Sequence, residues 1–403
     1  MPISLHSHSG QFCRHAAGTL EEVVRSASRR GFLCFGLTEH IPRLRDCDLY
    51  PEEAERLGPG HNGPLTRLSG GGGVPAQLRL SPRDLDETFL QFVREARRLQ
   101  RENGGIAKAE DDGGDANAGG SSPETAGTMT LLVGFETEFV NEESLDYVLE
   151  LRERHSPDYI VGSVHHVNEI PIDFSQDLYD RAATFATLRR TGTGCRGKSH
   201  ALTPQHLEAL FEDYFDAQYS MLQKLRPEIV GHFDLIRLFE GRPETSTGAN
   251  LADRPTLGLL KDYPKIWAKV TRNVDFVVGY EGLFEVNAKA YKKGLCHAYP
   301  CDEILQYIKS MGGLFTLSDD SHGPDEVGLN YARMFVYLRN AGVQYVHSLV
   351  RRPDRDRDHQ ESATAGGVFR ASKVAVVRHS LPALADLWAA KCGGAGEGKA
   401  PRP

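Results

Sequence analysis

Cysteine is sparse in this chain: seven among 403 residues, scattered from Cys13 to Cys392 with no Cys-x-x-Cys pair. That scatter argues against a disulfide framework or a structural zinc ribbon and fits a reducing compartment. Long apolar runs are missing too, and none approaches the roughly 18 residues of a membrane span. No secretory leader is read at the N-terminus, where cleavage would remove His6 and His8, so the expected location is cytoplasmic. A dense Lys/Arg stripe is also lacking, and the formal net charge is −8. Both facts weigh against a sequence-tolerant nucleic-acid binder, whose affinity comes mostly from neutralised phosphates. The run Gly70-Gly71-Gly72-Gly73 has no following Lys-Ser/Thr, so it is not read as a phosphate loop.

What is present is a repeating unit: a short apolar strand, a polar residue at its end, then an amphipathic helix. The first strand runs to His8. The next are Phe32–Leu37, Leu131–Phe135, Tyr159–Val164, Glu228–Gly231, Leu283–Val286 and Leu314–Leu317. Helices are expected from about Thr19, where Thr19-Leu20-Glu21-Glu22 reads as a capping box, and near 83–103, 143–154, 205–224, 265–280, 302–311 and 325–341. Near-continuous apolar strands alternating with helices imply an α/β fold with a parallel sheet buried on both faces. Polar groups at the end of every strand imply a barrel, which gathers them around one mouth. An open doubly wound sheet would use only the loops near its switch point.

The expected organisation is a single barrel over 1–392. Insertions are expected near 57–80, 104–128, 186–202 and 352–366, where Gly, Ser and charged residues cannot build a core. A disordered tail is expected over 393–403.

The strand ends carry the chemistry. His6 and His8 are two apart in an extended run, so both imidazoles project to one face. Downstream come Thr38-Glu39-His40, Gly134-Phe135-Glu136, Gly162-Ser163-Val164-His165, Gly231-His232-Phe233-Asp234 and Ser318-Asp319-Asp320-Ser321-His322. Imidazole mixed with carboxylate suits Zn, Mn, Fe or Co rather than a calcium cage. Glu138 competes with Glu136, but lies two residues beyond the strand end; Asp319 competes with Asp320, which the Asp-x-His spacing to His322 favours; His166 and His165 point to opposite faces, and the motif favours His165. A carboxylate shared by two cations offsets their repulsion, and such cations neutralise phosphate oxygens while lowering the pKa of bound water.

These motifs resemble the polymerase-and-histidinol-phosphatase (PHP) family of metal-dependent phosphoesterases, from His6 to about Gly328 apart from the insertions. Thr38-Glu39-His40-Ile41-Pro42-Arg43, Gly162-Ser163-Val164-His165-His166 and Pro171-Ile172-Asp173-Phe174 look most like the histidinol-phosphatase subgroup in its long fungal form. The resemblance implies a distorted (β/α)7 TIM-like barrel holding two to three divalent ions. By motif, His6, His8, Glu136 and Asp320 would hold the first, and Glu136, His165 and His232 the second. His15, His40 and His322 would hold the third. Glu39 would orient an imidazole.

The implied reaction is hydrolysis of L-histidinol phosphate in histidine biosynthesis, with a small-molecule partner and neither nucleic acid nor membrane. Alternatives are a nucleotide phosphatase or exonuclease of the same fold, or a non-catalytic metal-binding scaffold. Arg237, just beyond His232, is the first candidate for a phosphate contact, because its planar fork suits bidentate binding; Arg43 is the second. Asp234 or a metal-held water would protonate the leaving alcohol. Glu285, Asn287 and Asp173 are candidate pocket-lining residues.

Overall fold

Seven short apolar runs pair side by side in the computed structural model, which describes residues 2–54, 80–103, 129–192, 202–240, 256–352 and 373–392. They are β1 (Ile3–Ser4), β2 (Cys34–Leu37), β3 (Thr130–Glu136), β4 (Tyr159–Gly162), β5 (Ile229–Val230), β6 (Leu283–Asn287) and β7 (Leu314–Ser318). They are hydrogen-bonded in chain order, and every neighbouring pair is parallel. The two edges meet: Leu5 N donates to Leu317 O at 3.2 Å and Ser4 Oγ donates to Asp319 Oδ1 at 2.9 Å. The sheet is therefore a nearly closed barrel, as the strand pattern predicts. Both of its faces are covered, which is why its strands read as continuous apolar runs.

Helices Leu20–Arg30, Pro82–Asn103, Glu142–His155, Pro204–Leu225, Pro264–Gly279, Asp302–Ser310 and Tyr331–Asn340 lie between and after the strands. The capping box forms: Glu22 N donates to Thr19 Oγ1 at 3.2 Å and Thr19 N to Glu22 Oε2 at 2.7 Å. Such a cap contributes about 1 kcal/mol and fixes where the first helix begins after His15.

Close approach inside the barrel depends on one glycine. A Cβ on Gly36 would stand 1.8 Å from the Tyr159 hydroxyl. That hydroxyl donates to Leu5 O at 2.7 Å, so the absent side chain lets Tyr159 fix the backbone just before His6.

Three features differ from expectation. Residues 186–191, expected inside an insertion, form the last turns of helix Gln176–Thr191. Its buried face is Tyr179 with Ala182, Ala183 and Ala186, small residues that let it pack closely on helix Pro204–Leu225. Residues 325–330 are a turn, and their helix starts at Tyr331. An antiparallel hairpin, Tyr345–Arg351 with Val374–Ser380, packs on β7 and leads into helix Leu381–Cys392. Of the other expected insertions, 57–79, 104–128, 193–201 and 353–366 lie outside the described residues, as does the tail 393–403. Among the described residues, no helix is long and apolar enough to cross a membrane.

Candidate metal centre

The Glu136 carboxylate, buried at the end of β3, stands among five imidazoles. Its Oε1 is 3.1 Å from His165 Nε2 and 2.9 Å from His232 Nε2. Its Oε2 is 3.2 Å from His6 Nε2, 3.4 Å from His8 Nε2 and 2.9 Å from His40 Nδ1. Each oxygen thus serves a separate imidazole set. The barrel produces this arrangement directly: His6 follows β1, His40 follows β2 and pairs by a backbone bridge with Glu136, and His165 and His232 follow β4 and β5. After β7, Asp320 places its Oδ1 3.6 Å from His8 Nε2 and 3.9 Å from His6 Nε2. Asp320 adopts a φ of 47°, a strained region that a structure keeps where a side chain must be aimed.

The other imidazole nitrogens explain the orientations. His6 Nδ1 is 2.7 Å from Glu285 Oε1, His165 Nδ1 2.9 Å from Asp173 Oδ2, and His15 Nδ1 2.7 Å from Glu52 Oε1. His8 Nδ1 lies 3.5 Å from Glu39 Oε2, and His322 Nδ1 is 2.9 Å from the Asp320 carbonyl. Carboxylates behind imidazoles are the usual outer shell of a metal site, turning Nε2 inward. Glu285, expected to line a substrate pocket, instead orients His6. Its Oε2 accepts the His232 N–H at 2.6 Å, and Asn287 bridges Glu285 to Asp320.

Bare cations fit this donor set. His6 Nε2 and His8 Nε2 face each other at 3.1 Å, His40 Nδ1 is crowded by Glu136 at 2.9 Å and Glu138 at 2.7 Å, and His40 Nε2 and the Oδ1 of Asp320 have no hydrogen-bond partner among the described residues. Buried polar atoms left without hydrogen bonds are costly unless something positive sits among them. Among the described residues, five groups hold their donor atoms within 4.8 Å: His6–His8–Asp320, Glu136–His165–His232, His8–His40–His322, Cys13–His15–His40 and His40–Glu138–His165. The first two follow the expected division. The third differs, because His322 sides with His8, while His15 groups with His40 and Cys13, a residue the sequence reading passed over.

Electrostatics reflect the crowding. Burial would raise the Glu136 carboxyl, but the imidazoles of His6, His165 and His40 hold it well below the usual range. Burial disfavours charge on His6, yet Glu136, Glu285 and Asp320 raise its pKa. His322 is pushed well below by burial and by Lys289. Asp319 rises to about 6 through burial; it accepts from Ser4, Ser321 and Gly328, a role in closing the barrel rather than in the centre. His166 turns away from the cluster, and burial lowers it to about 4.

A cavity of about 360 Å³ opens onto the cluster, with His15, His40, Glu136, His165, His232, Asp320 and His322 in its wall. Tyr50 and Phe174 stack at 5.7 Å along one side, with Asp173 beside them. Its cations are Lys289, Lys292 and Lys293, which sequence reasoning missed although Lys289 lies two residues past the end of β6. Lys289 Nζ donates to the Asp320 carbonyl at 3.2 Å and to Glu326 Oε2 at 2.8 Å.

The arginines expected to meet phosphate face elsewhere. Arg43 is buried and held by Glu53 and, at 3.3 Å, by Glu138, whose other oxygen accepts from Tyr50. Arg237 sits between cavity-lining Leu235 and Leu238, but its guanidinium meets Glu240 at 3.3 Å, Glu303 at 3.6 Å and the Gly258 carbonyl at 3.0 Å. Asp234 is buried and accepts the Cys301 N–H at 3.0 Å; it does not line the cavity. Surrounding acids capture each arginine, because a buried guanidinium without a carboxylate is expensive.

Comparison with known proteins places this geometry. The PHP domain model matches residues 4–289. A Schizosaccharomyces pombe protein named "Probable histidinol-phosphatase" is 37% identical over 369 residues, covering 92% of this chain and 96% of that relative. The Saccharomyces cerevisiae histidinol-phosphatase is 29% identical over 348 residues, covering 83% and 87% respectively. A crystal structure from Listeria monocytogenes, assigned as a histidinol phosphatase, superposes with a TM-score of 0.52 at 16% identity, covering 82% of this chain and 99% of its own; that likeness is one of fold.

Proposed function

The chain belongs to the PHP domain family, and on that premise we propose that it is a metal-dependent histidinol-phosphatase, hydrolysing L-histidinol phosphate to L-histidinol and phosphate. The observation that carries the reading is the division of Glu136: one oxygen to His165 and His232, the other to His6, His8 and His40. A shared carboxylate of this kind balances two cations held close together.

His6, His8 and Asp320 would hold one ion, Glu136, His165 and His232 a second, and His40 with its neighbours a third. Bound there, divalent ions neutralise the phosphate oxygens and supply an acidified water at neutral pH. The chain's own residues do the remainder. Lys289, between the Asp320 carbonyl and the cavity, adds positive charge where a phosphate dianion would lodge, and Lys292 and Lys293 extend that field toward the mouth. Asp173 in the same wall, whose Oδ1 has no hydrogen-bond partner among the described residues, suits the ammonium or imidazole of an amino-alcohol substrate. Tyr50 and Phe174 offer a flat apolar side to its ring.

A phosphate-release screen over phosphorylated amino alcohols and nucleoside monophosphates, with metal analysis of the same sample, tests the assignment. Histidinol phosphate should give the highest kcat/KM. Preferential turnover of nucleotides would replace this reading with that of a nucleotide phosphatase.

A further inference from the structure

The turn after His8 brings a thiol to the cluster. Cys13 N donates to Ser9 O at 3.0 Å, and Ala17 N donates to His322 O at 2.8 Å, so both ends of the segment are tied to the barrel mouth. Cys13 is buried, and its Sγ lies 3.1 Å from His15 Nε2. The donor atoms of Cys13, His15 and His40 fall within 4.8 Å of one another. Glu52 holds His15 Nδ1 at 2.7 Å, which points Nε2 at the sulfur. The His40 side chain is 10% exposed; its Nδ1 faces Glu138 at 2.7 Å and Glu136 at 2.9 Å, and its Nε2 has no hydrogen-bond partner among the described residues. Cys34 makes a contrast: its thiol donates to the Leu349 carbonyl at 3.5 Å within the apolar core, as an inert core cysteine does.

We infer that Cys13 supplies a thiolate ligand, with His15 and His40, to the outermost metal position, a reading that rests on the cluster being a metal centre. Sulfur with two imidazoles is a borderline-soft set that favours Zn(II) or Co(II) over Mn(II) or Mg(II). Three protein ligands leave one coordination place open. His15 and His40 both border the cavity, so that place faces the bound substrate. Glu52 becomes the outer carboxylate of this position, matching Glu285 behind His6 and Asp173 behind His165.

Cobalt(II) titration of the demetallated full-length chain reads sulfur ligation directly. A thiolate-to-cobalt charge-transfer band in the near ultraviolet should grow with one metal equivalent and vanish in Cys13→Ser, while the ligand-field bands of the other ions remain. That variant should hold one equivalent more weakly by at least the roughly 10–100-fold that loss of an outer-shell partner costs. Zinc(II) should also shield Cys13 of the unmutated protein from alkylation, a measurement independent of how the variant folds. Ligand-field bands without charge transfer, a band that survives Cys13→Ser, or equal alkylation with and without zinc would overturn the thiolate and leave the centre standing. Absence of any cobalt binding would overturn the centre itself, and this inference with it.

Discussion

His6 Nδ1 stands 2.7 Å from Glu285 Oε1, and the other Glu285 oxygen accepts the backbone N–H of His232. One buried carboxylate therefore orients a member of each imidazole set around Glu136. Glu285→Gln keeps the volume but removes the charge that makes His6 a strong donor. Metal affinity, measured by competition with a chromophoric chelator, should fall about 10–100-fold. An unchanged affinity would reduce Glu285 to a packing role.

Glu136 and Glu138 share His40, at 2.9 and 2.7 Å, but differ in their other partners. Glu136→Gln removes the charge shared between both sets, so metal content and kcat should drop together, by at least about 100-fold, the upper end for a mere outer-shell loss. Glu138 holds Arg43 and Tyr50, so Glu138→Gln should cost about 1–3 kcal/mol of stability, read by denaturant unfolding, with a smaller kinetic effect. The opposite pattern would move the bridge to Glu138.

Lys289 is the cavity cation nearest the ligand cluster by its contact with Asp320. Lys289→Met should lower kcat/KM for histidinol phosphate about 10²–10³-fold at constant metal content, the usual cost of one lost transition-state contact. Arg237→Ala should cost less, because that guanidinium already serves Glu240 and Glu303. If Arg237→Ala were the more damaging change, the phosphate contact would pass back to Arg237.

Strand ends were legible because each is a local event: an apolar run, then a group that cannot be buried alone. All seven barrel strands, and the gathering of His6, His8, Glu136, His165, His232 and Asp320 at one mouth, could be read that way; their division among ions came from the family resemblance. Outer-shell partners, Glu39 behind His8 excepted, could not. Glu285 meets His6 across 279 residues and Glu52 meets His15 across 37, so no spacing announces either pair. The helix Gln176–Thr191 was missed where its alanine face merges with a Gly- and Thr-rich stretch. Arg237 and Arg43 were placed by proximity to motif residues, and only the fold shows the acids that engage them.

Proton competition gives the pH dependence. Burial opposes charge on His6, His40 and His165, but Glu136 acts on all three, with Glu138 beside His40 and His165, and their pKa values rise. The raised values favour protonated imidazoles in the metal-free state, so an incoming cation competes with protons. Calorimetry at pH 7 in buffers of different ionisation enthalpy should show proton release, with affinity weakening as pH falls. The metal-free fold should lose the stability these charges contribute as pH climbs through the raised values. Heats independent of buffer would contradict the assignment of these residues as ligands.

The most direct test of a metal-dependent phosphatase is phosphate release from histidinol phosphate before and after exhaustive chelation, with metal content measured on the same samples. Activity should disappear with the metal and return when Zn(II), Mn(II), Co(II) or Fe(II) is restored, in proportion to occupancy. Undiminished turnover in demetallated protein would contradict the account.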